Sequence, residues 1–157
     1  MQRPLPWVVL AGKTGCGKSR VAKRACRIVR ETAVRAHAAG FAPRGDRLVR
    51  VAEVHWPTVA GEQEETYAES TRDIREADVA LLDDIGAETD QFKAGVPNVR
   101  LMRLLDDLEC KALIVTTNIR RAQWVQTWGE RVASRLSQAH TLDCFDVPDF
   151  RAMRGNQ

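Results

Sequence analysis

The segment that most constrains the fold is a glycine-rich loop near the start of the chain. It reads Gly12-Lys13-Thr14-Gly15-Cys16-Gly17-Lys18-Ser19 and matches the pattern GxxxxGK[ST] at every fixed position. The short apolar run 5–11 precedes it, and a stretch with helical spacing of apolar residues begins at Lys18. A strand, a glycine loop and a helix in this order open a β-α unit, which predicts a parallel sheet.

The same alternation continues along the chain. Apolar runs predict further strands at 48–54, 79–82 and 112–115, with a weaker last strand at 140–147. Helical spacing predicts helices over 18–36, the second half of 61–77, 99–108 and 121–138, the last as one or two helices, and the polar stretch 86–97 reads as a loop. Helices then cover both faces of a parallel sheet, and ligands bind at the carboxyl ends of its strands.

Size and composition favour one globular domain over residues 1–157. The apolar share of 44% suits a globular protein, and no apolar run approaches the ~20 residues that a membrane span needs. No signal peptide is predicted. The four cysteines form no CxxC pair, so neither a zinc site nor a disulfide framework is indicated and a cytoplasmic location is expected.

Charge is distributed unevenly. Residues 1–50 carry 12 Lys and Arg against 2 acidic residues, whereas residues 51–110 carry 5 against 15. Such asymmetry suits a polyanion-binding face or head-to-tail subunit contacts. Charge alone favours the plainer interpretation of solvated helix faces.

The glycine loop has the chemistry of a triphosphate site. Its glycines let several backbone N–H groups point at one anion, and the helix that follows adds the positive end of its dipole. Lys18 reaches the β- and γ-phosphates, and the Ser19 hydroxyl can ligate Mg²⁺. A plain flexible turn would leave the Lys-Ser pair unexplained.

Two carboxylates follow the apolar strand 79–82. Asp83, at the tip of a buried strand, suits the hydration shell of Mg²⁺. Asp84 suits a group that orients and deprotonates an attacking water. Apolar strands that end in acidic residues are common, and the upstream phosphate loop is what favours function here.

Three later residues have roles that the pattern leaves open. Asn118 ends the next apolar strand, where its amide can hydrogen-bond a γ-phosphate and a water, although Asn is also common in turns. Arg131 and Arg135 lie one helical turn apart. An arginine offered to a neighbouring subunit's γ-phosphate stabilises transition-state charge, but the pattern alone favours a solvated helix face.

Four segments together resemble AAA+ helicase loaders of the DnaC type and the related IstB transposition ATPases. The stretch 79–88, ending in Asp-Asp-Ile-Gly-Ala-Glu, looks like their Walker B signature, and 113–118 resembles their sensor 1 strand. The stretch 129–136 resembles their arginine-finger helix, and Asp149-Phe150-Arg151 is similar to the short ending of this family. The resemblance covers residues 5–151.

This resemblance implies an AAA+ three-layer α/β sandwich with strand order 5-1-4-3-2, a truncated or absent lid, and hydrolysis of ATP with Mg²⁺. It implies that Asn118 and Arg131 are catalytic, with Arg131 acting on the neighbour in a ring or helical homo-oligomer. It further implies that the chain binds single-stranded DNA and loads a replicative helicase onto it during replication initiation.

The sequence also departs from the family. The loaders usually carry an amino-terminal domain that grips the helicase, whereas here the phosphate loop starts at residue 12, so the grip is expected elsewhere or on another protein. Asp106-Asp107-Leu108 stands where an Arg-aromatic pair is usual. Three alternatives stay open: an IstB-like transposition helper, a small-molecule P-loop kinase, and a non-hydrolysing adaptor, which Asp84 in place of the more usual glutamate allows.

Overall fold

The computed structural model describes residues 6–41, 47–90 and 96–151. Within these ranges five strands alternate with helices. The strands are β1 (Trp7–Ala11), β2 (Val51–His55), β3 (Val79–Ile85), β4 (Ala112–Thr117) and β5 (His140–Asp143). The helices are α1 (Lys18–Ala38), α2 (Trp56–Ala60), α3 (Glu64–Glu76), α4 (Val96–Asp107) and α5 (Trp124–Ser137), with 3-10 turns at Ala87–Asp90 and Arg121–Gln123.

The strands form one parallel sheet in the order β2-β3-β4-β1-β5. This is the predicted order and confirms the predicted fold class. The strand that precedes the phosphate loop, β1, lies between β4 and β5. Because all strands run the same way, the loops after β1, β3 and β4 meet at one edge of the sheet.

Helices cover both faces of the sheet, but unequally. Leu81 points to the face that α1 covers, where it packs in a small cluster with Ala22 and Cys26. Its neighbours Ala80 and Leu82 point to the opposite face, where residues of α2 to α5 build the main core. The molecule is therefore a three-layer sandwich with a thin layer on the α1 side.

The stretch 86–97 is not wholly a loop, and this prediction was wrong in part. A 3-10 turn forms at Ala87–Asp90, and α4 already begins at Val96. The buried carboxylate of Glu88 accepts hydrogen bonds from the Trp56 indole and the Gly86 amide, both at 2.8 Å. These contacts fix the turn, and a local sequence pattern cannot reveal them. Residues 91–95 lie outside the described part.

Other element bounds also differ from prediction. Helix α2 was not predicted, α3 occupies most of 61–77 rather than its second half, and the last strand ends at Asp143. The stretch 121–138 does contain a break, because Gly129 adopts φ 81° and ψ 167° inside α5. Only glycine takes this backbone conformation without strain. No described helix is long and apolar enough to cross a lipid bilayer.

Candidate functional site

The glycine loop connects β1 to α1 at the carboxyl edge of the sheet. Gly15 and Gly17 have positive φ angles of 83° and 94°, and Gly17 is the N-cap of α1. Gly12 lies against Cys144, where even a β-carbon would come within 2.7 Å of its neighbour. The glycines thus bend the loop tightly and place its amides at a helix N-terminus, which is an anion-binding arrangement.

The ammonium of Lys18 is turned into this loop. The residue is only 7% exposed, and its Nζ donates hydrogen bonds of 2.8 Å to the carbonyl oxygens of Gly12 and Lys13 and to Asn118 Oδ1. Lys18 and Asn118 are 100 positions apart in the chain. The structure therefore brings together the lysine of the loop and the polar residue that follows β4.

Asp83 lies buried beside the loop. Its Oδ1 accepts a 2.7 Å hydrogen bond from Thr116 Oγ1, and its Oδ2 lies 3.2 Å from Lys23 Nζ. Burial by itself raises the pKa of this carboxyl, but the bonds from Ser19, Thr116 and Lys23 outweigh burial and lower the pKa overall. Asp83 is therefore held ionised next to the serine that sequence reasoning paired with it.

The two carboxylates, Asp83 and Asp84, lie in a bulge of the sheet. Leu82 pairs with Val115 and Ile85 with Thr117, so Asp83 and Asp84 together oppose the single residue Thr116. Asp84 takes the left-handed conformation with φ 67°, and its backbone N–H donates to Thr116 Oγ1 at 2.8 Å. One threonine hydroxyl thus bonds the side chain of one aspartate and the backbone of the next.

Asn118 links Asp84 to the loop. Its Nδ2 donates to Asp84 Oδ1 at 3.2 Å while its Oδ1 accepts from Lys18. The three side chains form a continuous hydrogen-bonded chain across the strand ends. This arrangement can hold an anion near Lys18 and position a carboxylate beside it.

Lys18, Asn118 and Asp84 border a cleft of about 830 Å³, a size typical of ligand sites. Thr14, Gly15, Gly17, Lys18 and Ser19 line it from the loop, and Asp84 and Asn118 line it from the strand ends. The remaining lining residues are Arg20, Val21, Phe150 and Arg151. We call this space the phosphate cleft.

Sequence reasoning missed several members of this site. Thr116 was part of the sensor 1 resemblance but received no role, although a hydroxyl at the end of a buried strand is a signal. Lys23, on α1, received no role. Phe150 and Arg151 come from the far end of the chain, and no local pattern ties them to the loop.

Arg131 lies elsewhere. With Met102, Asp106, Glu130, Ser134, Arg135 and Gln138 it lines a separate cavity of about 590 Å³ between α4 and α5, which we call the arginine groove. Arg135 is paired there with Asp106 at 2.5 Å. Arg131 is exposed and shows no acidic partner within the described ranges. The two predicted arginines are thus one turn apart but differ in their contacts.

A family model described as the AAA domain (dynein-related subfamily) matches residues 7–123, from β1 to the turn before α5. The chain belongs to the AAA family. The predicted AAA+ resemblance is confirmed by this match and by the fold. No curated protein matches the sequence.

Solved structures with the same fold include proteins of DNA replication. The DnaC helicase loader is 17% identical with a TM-score of 0.65, and the alignment covers 88% of this chain and 77% of that chain. DnaI is 19% identical with a TM-score of 0.63, covering 91% and 77%. A replication initiator DnaA bound to AMPPCP and single-stranded DNA is 17% identical with a TM-score of 0.57, covering 88% and 40%.

AAA membership implies that the domain binds and hydrolyses a nucleoside triphosphate with a divalent cation. The residues fit such a ligand. The cleft is lined by a lysine ammonium, a glycine loop and the Ser19 hydroxyl, and the buried Asp83 carboxylate lies beside it. Carboxylate and hydroxyl oxygens are hard ligands of the kind that divalent cations prefer.

Proposed function

We propose that this AAA domain hydrolyses ATP with Mg²⁺ and uses the energy to load a replicative helicase onto single-stranded DNA during replication initiation. The observation that carries the enzymatic half is the bonded chain Lys18–Asn118–Asp84 beside the buried Asp83. It places the Lys18 ammonium, one side-chain amide and two carboxylates next to the glycine loop.

Each residue then has a role in phosphoryl transfer. The loop 12–19 and Lys18 bind the phosphates. Ser19 and Asp83 would hold Mg²⁺, which would neutralise the charge that develops on the phosphate oxygens. Asp84 orients the attacking water and accepts its proton as the water oxygen bonds to the γ-phosphorus and the bond to the β–γ bridging oxygen breaks. Asn118 holds the water and the γ-phosphate in line.

Arg131 is proposed to complete the site of a neighbouring copy. Its lack of an acidic partner among the described residues leaves its guanidinium available to an incoming phosphate, whereas Arg135 is already paired. Because Arg131 lies outside the phosphate cleft of its own subunit, it can act only on another. We therefore propose a ring or helical homo-oligomer.

The link to replication rests on the solved structures of the same fold. One is described as a helicase loader, and another as a replication initiator bound to an ATP analogue and single-stranded DNA. An IstB-like transposition helper shares the same motifs and is the alternative partner class. A small-molecule kinase is disfavoured by membership of the AAA family.

The test is an ATPase measurement with and without single-stranded DNA, run beside a sizing experiment in a non-hydrolysable ATP analogue. Lys18→Ala serves as the control without phosphate binding. We expect phosphate release that needs no acceptor molecule, stimulation by single-stranded DNA, and a larger particle with the analogue. A protein that stays monomeric under these conditions and is not stimulated contradicts the proposal, and a preference for duplex DNA favours the transposition helper.

A further inference from the structure

The segment after β5 returns to the phosphate loop. The amide of Phe150 donates a 3.1 Å hydrogen bond to the carbonyl oxygen of Gly15, and the amide of Arg151 donates to Asp149 Oδ1 at 2.8 Å. The Asp149 carboxylate packs so closely on Gly15 that any side chain there would collide with it. Residues 149–151 are thus held against the loop by one backbone hydrogen bond and one side-chain contact, although about 135 positions separate the two segments.

This contact puts an aromatic ring in the phosphate cleft. Phe150 lines the cleft and is 49% exposed, and its Cδ2 lies 3.8 Å from the point where a β-carbon on Gly17 would stand. Val21, 59% exposed, is another apolar member of the cleft lining. A half-exposed phenylalanine leaves apolar surface in contact with water, which is unfavourable. A ligand in the cleft would remove that surface from water.

The cleft therefore has two chemically different parts. Lys18, Asp84 and Asn118 make one part polar and charged. Phe150, in the segment after β5, and Val21, on the first turn of α1, add apolar side chains to the lining. A triphosphate fills the polar part only, while the planar base attached to it needs an apolar surface.

We propose that Phe150 is the stacking platform for the base of the bound nucleoside triphosphate and so favours purine nucleotides over bare polyphosphate. This inference rests on the proposed function, since it assigns a second part of the same cleft. Aromatic rings stack on bases through their faces, and a purine offers the larger face. The backbone bond to Gly15 couples the position of the ring to that of the phosphate loop.

The test is calorimetric titration of the full chain with two probes in the presence of Mg²⁺: a non-hydrolysable ATP analogue and inorganic tripolyphosphate. Wild type is compared with Phe150→Ala, Phe150→Trp and Lys18→Ala. Phe41→Ala is the matched control, because Phe41 is 74% exposed and is not a lining residue of the cleft.

We expect Phe150→Ala to raise the Kd for the ATP analogue about tenfold and to leave the Kd for tripolyphosphate unchanged. Phe150→Trp restores or improves binding of the analogue, and Phe41→Ala changes neither Kd. A Phe150→Ala protein that binds the analogue as wild type does, or that loses both probes equally, overturns the inference while leaving the proposed function intact. Wild type that binds neither probe overturns the proposed function and this inference with it.

Discussion

The phosphate cleft and the arginine groove differ in how far their side chains are already bonded within one subunit. In the cleft, Lys18 and Asp84 are each hydrogen-bonded to Asn118, and beside the cleft Asp83 has partners on both oxygens. In the groove, Arg131 shows no acidic partner among the residues described. Groups that are oriented before a ligand binds need little reorganisation during catalysis. The difference suggests that one region is arranged by the fold and the other awaits a second subunit.

The largest expected effect concerns Arg131 in the arginine groove and tests whether the two regions differ in this way. If Arg131 acts on a neighbour, Arg131→Ala lowers kcat of the assembled protein by about 10³-fold or more, as the loss of an arginine finger does. Arg135→Ala, one turn away, leaves kcat within a few-fold because Arg135 already pairs with Asp106. Steady-state ATPase rates of the two variants at equal protein concentration check this. Equal losses in both would contradict a separate role for Arg131.

A mixing experiment sharpens the same point. Subunits carrying Arg131→Ala keep an intact cleft, whereas subunits carrying Asp84→Asn keep an intact arginine. Each protein alone should be nearly inactive, and mixing them should restore measurable hydrolysis. Activity that stays absent in the mixture would argue that Arg131 does not act between subunits.

The next effect tests the cleft. Asp84→Asn removes a proton acceptor but keeps the oxygen that accepts from Asn118, so we expect kcat to fall about 10²- to 10⁴-fold with the Kd for ATP nearly unchanged. Single-turnover hydrolysis and equilibrium binding measure the two quantities. If kcat of wild type is as low as that of Asp84→Asn, the protein is instead a non-hydrolysing, nucleotide-gated adaptor.

A smaller effect concerns the bulge. Thr116→Val deletes the hydroxyl that bonds both aspartates, and we expect the free energy of unfolding to fall by about 1–3 kcal/mol. Thr117→Val is the matched control, because Thr117 is equally buried and its hydroxyl bonds Ile85 and Ile119 instead. Urea unfolding should show similar losses for both, and only Thr116→Val should reduce kcat. Equal kcat values would show that the bulge is purely structural.

The smallest effect is a pH dependence. The pKa of Asp83 is lower in the folded chain than in the unfolded chain, so its carboxylate stabilises the fold above about pH 4, and that contribution is lost as pH falls through the lowered pKa. The difference in unfolding free energy between wild type and Asp83→Asn should therefore shrink as pH drops from 6 to 3. Glu88, whose burial raises its pKa, is common to both proteins and cancels in the difference. A difference that grows on acidification would contradict the assignment.

Sequence patterns predicted the helices and strands well where apolar periodicity was long and failed where contacts between distant segments decide the structure. The strand before the glycine loop and helix α1 follow from local spacing, and the sheet order followed from the family resemblance. The turn at Ala87–Asp90 depends on the buried pair of Trp56 and Glu88, which are 32 positions apart. Such pairs have no signature in either segment alone.

By itself, the sequence predicted the fold class, four polar positions of the phosphate cleft (Lys18, Ser19, Asp84 and Asn118) and the buried Asp83 beside it. It could do so because parallel strands end at one edge of the sheet, so residues that follow buried runs must converge there.

Only the tertiary structure decided that one hydroxyl, that of Thr116, bonds both aspartates across a bulge, that Phe150 returns to the cleft, and that Arg131 stays outside it. These features depend on register shifts and long-range packing, whose energies come from contacts between segments far apart in the chain.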